Sequence, residues 1–285
     1  MKISGGSMIV TTRTCPVCNS GKTTTHSFTL SESSNNILPL MICQQCGYAR
    51  RLDCRDLQTN LQMQHRFFEA NAKSPDKRSI RWPRRPALVA SEVRRLAGNK
   101  GKALDVGCGA GMWLAALGDN WDRYGVELSE KTAAIARSFA SAEAYCGPIE
   151  SYEAEEDSFD LITAFALIEH LNEPRSFIEW AYEHLKSGGL LVLMTGDRES
   201  KTALEMGEKW PLYHCDEHIS FFSARSLTQL VEDIGFSVVR KEWRFMYMPW
   251  GMGSRAFRLM QKLKEVMRLV TKPEHDHFYL YARKC

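Results

Sequence analysis

The 285-residue chain contains no run of apolar residues that approaches the roughly 20 needed to cross a bilayer, so no spanning helix is expected. Residues 1–8 form no continuous apolar core and do not read as a secretion signal, and Met8 is a second candidate start. The nine cysteines are odd in number and no secretory context accompanies them. A disulfide framework is therefore not expected, and a cytoplasmic location is. There is no internal repeat and no long low-complexity tract. The net charge of +3 is too small to imply a nucleic-acid partner by itself. What remains is an ordinary globular composition, 44% hydrophobic and 25% charged, of a length that suits one large domain plus a small one.

The charge is unevenly placed. Residues 61–102 carry 11 Lys/Arg against 3 Asp/Glu, and residues 251–272 carry 6 against 1. Two basic zones suit an anionic partner, or they are two solvated helix faces. Three regions emerge. Residues 1–58 are rich in Cys, Ser, Thr and Asn, with short strand-like runs. Residues 59–100 read as a basic helical linker broken by Pro75, Pro83 and Pro86. Residues 101–285 alternate strand-like and helix-like segments, as in a parallel sheet covered by helices. Expected strands are 102–107, 123–128, 144–147, 160–165, 190–195, 236–244 and 277–283, and expected helices 112–117, 130–138, 174–185 and 225–234. Gly188-Gly189 reads as a turn before the fifth strand, and Gly235 as a helix stop.

The first of these strands ends in Gly107-x-Gly109-x-Gly111 and a helix follows. Glycines let the backbone turn sharply and approach a ligand, and the free N–H groups of the helix face it. A dinucleotide fingerprint needs G-x-G-x-x-G, and Met112 occupies the place of its third glycine. Asp105 precedes the loop. Glu127 closes the second strand 20 residues after Gly107, where a carboxylate can accept hydrogen bonds from both hydroxyls of a ribose. The plain alternative is a tight strand–helix turn without a ligand.

These residues resemble the class I S-adenosylmethionine-dependent methyltransferases. The segment LDVGCGAG at 104–111 is similar to their first motif and YGVELS at 124–129 to their acidic second motif. The segments DSFDLI at 157–162 and LIEHL at 167–171 resemble the fourth-strand region, and LKSGGLLV at 185–192 the approach to the fifth strand. HISFFS at 218–223, with Leu227 and Gly235-Phe236, resembles the ubiquinone-biosynthesis-like group. The resemblance covers about residues 100–245. It implies a seven-stranded, mostly parallel Rossmann-like α/β sheet whose last strand is antiparallel. It further implies that Asp105, Gly107, Cys108, Gly109 and Gly111 hold the methionine part of the cofactor and Glu127, beside Leu128, the ribose. Ile149 and Glu150 would flank the adenine, and Phe165 and Ala166 would line the floor beneath the sulfonium.

Cys15-x-x-Cys18 and Cys43-x-x-Cys46 stand 24 residues apart, each followed by turn formers, Asn19-Ser20-Gly21 and Gly47. Each pair places two thiolates on a knuckle, and two knuckles make a tetrahedral site suited to a structural zinc. A longer hairpin between them adds little closure entropy. Metal binding would supply folding energy to a segment too short to bury much core. The plain alternative is four buried apolar thiols. Cys108 occupies a loop position that needs a small residue.

Methyl transfer depends on alignment of the acceptor, aided by a base where the acceptor bears a proton. Glu169 and His170 after the fourth strand, and His218 after the fifth with Tyr213 and His214 nearby, are the candidates, against packing or capping roles for the histidines. Phe257, Met260, Leu263, Met267 and Val270 recur at helical spacing among Arg255, Arg258, Lys262 and Arg268, which predicts an amphipathic helix at 254–270. That helix fits a packing or homodimer surface, a lid, or a peripheral membrane contact. Trp243, Phe245, Met246, Tyr247, Met248 and Trp250 before it fit a substrate pocket or a dimer contact.

Three functions stay open. The first is methylation of a small or carrier-linked acceptor such as a sugar or glycan precursor, because zinc knuckles before this core resemble the deoxysugar C-methyltransferases. The chain shows no counterpart of their long C-terminal domain. The second is RNA methylation, because a zinc ribbon before this core also resembles a ribosomal-RNA guanine methyltransferase group. The third is a non-catalytic binding protein on the same scaffold.

Overall fold

The computed structural model describes residues 14–29, 37–53, 62, 65, 84–244 and 276–285. The expected helix at 254–270, the apolar stretch 245–250 and, apart from residues 62 and 65, the part of the 61–102 basic zone before residue 84 lie outside them. Among the described residues no helix is long and apolar enough to cross a membrane.

The described chain opens with strands β1 (Thr23–Thr29), β2 (Ile37–Cys43) and β3 (Ala49–Arg51). Helix α1 (Arg84–Ala97) leads into β4 (Gly101–Val106), α2 (Met112–Leu117), β5 (Trp121–Glu127), α3 (Glu130–Phe139) and β6 (Glu143–Cys146). Next come β7 (Phe159–Phe165), α4 (Pro174–His184), β8 (Leu185–Gly196), α5 (Lys201–Met206) and the two-residue β9 (Ser220–Phe221). Helix α6 (Ala224–Ile234), β10 (Phe236–Arg244) and β11 (His277–Lys284) complete it.

Seven strands form one sheet in the order β10-β11-β8-β7-β4-β5-β6. Neighbours from β8 to β6 run parallel, and β11 is antiparallel to both β8 and β10. Helices cover both faces, so the central strands are apolar without alternation: Leu190 to Val192 of β8 are fully buried, as are Leu161 and Ile162 of β7. From β4 the chain winds outward through β5 and β6, then returns to β7 on the other side. The reversal opens a crevice beyond the carboxyl ends of β4, β5 and β7, where ligands of open α/β sheets bind.

Local signals explain the helix boundaries. Ser129 caps α3 by accepting from Thr132 N at 3.2 Å. Ser223 and Ser226 form a reciprocal capping box at α6, and left-handed Gly235 ends it. Pro86 falls in the first turn of α1, where a missing N–H removes no intrahelical bond. Val89, Ala90 and Val93 of α1 bury against the sheet in one cluster with Trp113 and Leu114, so this part of the expected linker packs into the large core. Gly188-Gly189 lies inside β8 rather than before it. The pairing with β7 jumps from Phe159–Leu185 to Leu161–Leu190, so the glycines form a bulge within a strand that begins directly after α4.

The second sheet is antiparallel, in the order β1-β2-β3-β9. Its fourth strand comes from beyond the large sheet's fifth strand: Ala49 pairs with Phe221 and Arg50 with Ser220. Cys15, Val17, Cys43, Cys46 and Tyr48 share one buried cluster with Ile168, Phe177, Phe222 and Leu227. The N-terminal segment thus packs as a continuation of the large core.

Candidate functional site

A cavity of about 240 Å³ opens at the carboxyl ends of β4 to β7. Gly107 and Gly109 form one wall, Glu127 and Leu128 the next, Ile149 and Glu150 a third, and Phe165, Ala166 and His170 the far end. Gly107 and Gly109 adopt positive φ, 74° and 52°, which the turn from β4 into α2 requires. Ala166 at φ 50° is one of few non-glycine residues held there, and its N–H is anchored on Met194 O at 2.9 Å.

Glu127 is buried and staples the rim. Its Oε2 accepts from Gly109 N at 2.9 Å and its Oε1 from Ser129 N at 3.1 Å. Each carboxylate oxygen carries two lone pairs and can accept more than one hydrogen bond. Asp105 stands behind the loop rather than on the cavity wall. Its Oδ1 accepts from Thr163 Oγ1 at 2.6 Å, and Trp113 Nε1 donates to the same Thr163 oxygen at 3.1 Å. Burial raises the Asp105 carboxyl to about 7, against the lowering effect of the Thr163 bond and with the Glu127 charge adding to the rise.

Two of the loop positions do packing work. Cys108 points its sulfur into the space a Cβ on Gly125 would fill, 2.6 Å from that position, and burial pushes its thiol well up. Gly111 caps α2 at φ 75°, and a Cβ there would meet Ala140 Cβ at 2.8 Å and Ala136 Cα at 3.1 Å of α3. The wall also includes Leu171 of the LIEHL segment, and Thr132, Gly147, Pro148 and Asn172, which motif reading passed over. Their only signal is position, one to a few residues past a strand end or in the first turn of α3.

At the far end three predicted residues meet. Glu169, His170 and His218 each place a ligating atom within 4.8 Å of the others. The two imidazoles lie edge to face, 4.8 Å between centroids. His170 Nδ1 donates to Glu217 O at 3.0 Å and His218 Nδ1 to Leu212 O at 3.1 Å, since a carbonyl only accepts. Thr195 Oγ1 donates to Glu169 Oε2 at 2.8 Å. Burial, then the neighbouring His170, holds the His218 pKa well below the usual imidazole range, so the ring is neutral. Tyr213 and His214 do not join them. Tyr213 stacks edge-on with Trp210 and Phe221, and exposed His214 faces Glu208 O at 2.9 Å.

The cysteines form a second centre. Cys15 and Cys46 sulfurs lie 3.6 Å apart, Cys18 and Cys43 3.5 Å apart, and all four fall within 4.8 Å. Tetrahedral zinc with bonds of about 2.3 Å spaces its sulfurs about 3.8 Å apart, so the residues fit that ion. The knuckles repeat one another. Asn19 N bonds Cys15 O and Gly47 N bonds Cys43 O, at 2.9 and 3.0 Å, with Asn19 and Gly47 both left-handed. The hydrogen bond from Cys46 lowers the Cys15 thiol pKa, against the rise that burial imposes. Arginines of the large domain grip the knuckle backbones: Arg175 on Val17 O at 2.6 Å, Arg198 on Gly47 O at 2.5 Å, Arg225 on Gln45 O at 2.6 Å.

The family described as "Methyltransferase domain" matches residues 81–241. A ubiquinone biosynthesis O-methyltransferase of Idiomarina loihiensis is 30% identical over 129 residues, covering 43% of this chain and 52% of that protein. One of the same name from Thiobacillus denitrificans is 29% identical over 160 residues, covering 54% and 67%. The chain thus spans about half to two thirds of the length of these relatives. A Thermotoga maritima structure described as an S-adenosylmethionine-dependent methyltransferase superposes with a TM-score of 0.54 at 21% identity, over 79% of this chain and all of that one. With a family match over more than half of its length and a strand order that reverses beside the glycine loop, the chain belongs to the methyltransferase-domain family and has the class I S-adenosylmethionine-dependent methyltransferase fold.

Proposed function

We propose that this chain transfers a methyl group from S-adenosylmethionine to an oxygen of a small or carrier-linked acceptor. The observation that carries the reading is the cavity lined by the glycine turn, Glu127 and His170, the last a member of the Glu169–His170–His218 cluster. Glu127 would hold the ribose hydroxyls, Leu128, Ile149 and Glu150 the adenine, and Phe165 and Ala166 the floor beneath the sulfonium. The loop backbone at Gly107 and Gly109, with Asp105 behind it, would receive the methionine part. Bound cofactor supplies an electrophilic methyl. The protein aligns the acceptor oxygen with it and takes up or guides the hydroxyl proton. Oxygen as the acceptor atom is favoured because the matched relatives are named O-methyltransferases. A sugar hydroxyl falls within this class.

The four cysteines would hold a structural zinc, since all four positions are protein thiols and none is open. Of the two basic zones, residues 251–272 lie outside the described residues, whereas residues 84–102 of the first lie within them. Calorimetric titration with S-adenosylhomocysteine tests the cofactor site. Incubation with labelled S-adenosylmethionine and a panel of phenolic, sugar and carrier-linked hydroxyl compounds tests the acceptor. Binding without transfer to any hydroxyl, alongside transfer to RNA, would replace the acceptor class. Absence of binding would remove the reading.

A further inference from the structure

We propose that the groove between the first cysteine knuckle and β3 is a phosphate-binding subsite, in which Arg50 holds the phosphate of a phosphorylated or diphosphate-linked acceptor beside the cofactor cavity. The assignment of that phosphate to the acceptor rests on the methyltransferase reading; the anion site does not.

The groove has a volume of about 490 Å³. Thr14 and Pro16 at the first knuckle, Met41 of β2, Arg50 and Arg51 of β3 and Glu173 before α4 line it. Its place beside the cofactor cavity follows from the chain. Leu171 and Asn172 line that cavity and Glu173 lines the groove, so neighbouring residues of one segment face the two spaces. His170, which ends the cavity, stands three residues before Glu173. On the other side β3 is tied to the residues that follow His218: Arg50 pairs with Ser220, and Arg51 N bonds Ile219 O at 3.0 Å. The groove therefore adjoins the acceptor end of the cavity.

The two arginines differ. Arg51 is already engaged: its Nε and Nη2 hold Asp53 at 3.0 and 3.1 Å, and its Nη1 donates to Cys215 O at 3.4 Å. Its charge is balanced and serves the fold. Arg50 stands opposite Met41 across the strand pair, and both line the groove. It is half-buried, and among the described residues its guanidinium makes no hydrogen bond or ion pair. A guanidinium partly withdrawn from water gains most from an anion that takes its N–H groups. Its planar fork matches two oxygens of a phosphate. A phosphate group offers three, enough for the fork and the Thr14 hydroxyl together, whereas a carboxylate has two. Glu173 is the N-cap residue of the 11-residue α4 and no side chain caps that helix, so its positive end adds to the attraction. The exposed Glu173 carboxylate opposes it, and removing that charge should have the opposite effect to removing Arg50.

The test uses the full-length protein with inorganic pyrophosphate as the probe, followed by phosphorus NMR and calorimetry. Wild type should bind it saturably. Affinity should fall about tenfold or more in Arg50→Ala, by less in Arg50→Lys, which keeps the charge and loses the fork, and rise about twofold in Glu173→Gln. Arg95→Ala, on the exposed face of α1, controls for general attraction to cations and should bind as wild type does. Melting temperatures check that each variant keeps its fold. With labelled S-adenosylmethionine, Arg50→Ala should raise the KM of a phosphate-bearing acceptor, leave kcat in place and leave a phosphate-free analogue untouched. No saturable binding at millimolar pyrophosphate, binding indifferent to Arg50, or an equal loss in Arg95→Ala overturns the site. Succinate binding tighter than pyrophosphate overturns the phosphate assignment. Arg50-dependent pyrophosphate binding in a protein that takes no S-adenosylhomocysteine would leave the anion site standing and remove the methyltransferase reading instead.

Discussion

The Glu127 carboxylate reaches back 18 residues to accept the Gly109 N–H at 2.9 Å, while its other oxygen takes the Ser129 N–H at 3.1 Å. One side chain therefore sets both the glycine turn after β4 and the entry to α3. Replacing it should damage the cofactor site twice, by removing a ribose acceptor and by loosening the turn. Glu127→Ala should weaken S-adenosylhomocysteine binding by about 10- to 100-fold, from one or two charge-assisted bonds of about 1.5–3 kcal/mol. Glu127→Gln should be nearly as poor, because its amide group would present an N–H to a backbone N–H. Calorimetry checks both, and a Gln variant that binds like wild type would show that the carboxylate is not the ribose ligand.

Asp105 gives a pH dependence whose sign follows from its raised pKa of about 7. An unfolded chain ionises this carboxyl near 3.9, so the fold favours the protonated form. That contribution is fully present below about pH 3.9 and is lost as pH rises toward 7, at a scale of about 4 kcal/mol for a shift of about three units. Relative to Asp105→Asn, the ligand-free wild type should lose thermal stability between pH 4 and 8. Cationic S-adenosylmethionine next to the loop favours the ionised carboxyl, so its affinity should rise over pH 6 to 8 in the wild type and stay flat in the variant. Parallel melting curves and titrations decide the matter, and identical pH profiles would remove Asp105 from both roles.

Much of this architecture was legible because it is local. The glycine spacing of the turn after β4 and the helix stop at Gly235 act within a few residues, and apolar runs mark buried parallel strands. What stayed hidden is long-range. Ser220 and Phe221 carry no periodicity as a two-residue strand, so their pairing with β3 could not be read. Glu169, His170 and His218 were visible one at a time, while their convergence depends on the backbone tie between Ile219 and Glu169. Gly188-Gly189 looked like a turn because a bulge and a turn use the same residue.

The shared core has a consequence for metal removal. Tyr48 packs against Phe222 with the rings tilted 58° and 5.1 Å between centroids, and the knuckle carbonyls are held by Arg175, Arg198 and Arg225. Stripping the proposed zinc with a strong chelator, or Cys46→Ser, should lower the melting temperature of the whole described unit by about 10 °C or more. Several kcal/mol of metal-linked folding energy spread over a domain of this size gives a shift of that order. Calorimetry should show one transition before and after. Two transitions, with the upper one unmoved, would mean that the knuckles fold apart from the sheet.

Gly111 separates packing from binding. Its φ of 75° and the 2.8 Å approach of a Cβ to Ala140 leave no room for alanine, so Gly111→Ala should destabilise the fold by about 2 kcal/mol or more. Because Gly111 does not border the cavity, S-adenosylhomocysteine affinity of the folded protein should change less than threefold. A large loss of affinity with normal stability would place this glycine against the ligand instead.

The buried contact between Tyr48 Oη and Ser220 Oγ, 2.7 Å, joins the cysteine-bearing sheet to the strand that follows His218. Deleting one partner leaves the other hydroxyl without that bond, so Tyr48→Phe and Ser220→Ala should each destabilise by about 1–2 kcal/mol. The double variant should recover part of the sum, giving a coupling of about 0.5–1.5 kcal/mol in a denaturant-unfolding cycle. The same cycle can be read on acceptor turnover. Since Ser220 lies two residues from His218, loosening it should raise the KM for the acceptor while S-adenosylhomocysteine affinity holds. Equal losses in both would place the contact in general stability, with no specific influence on the acceptor end of the cavity.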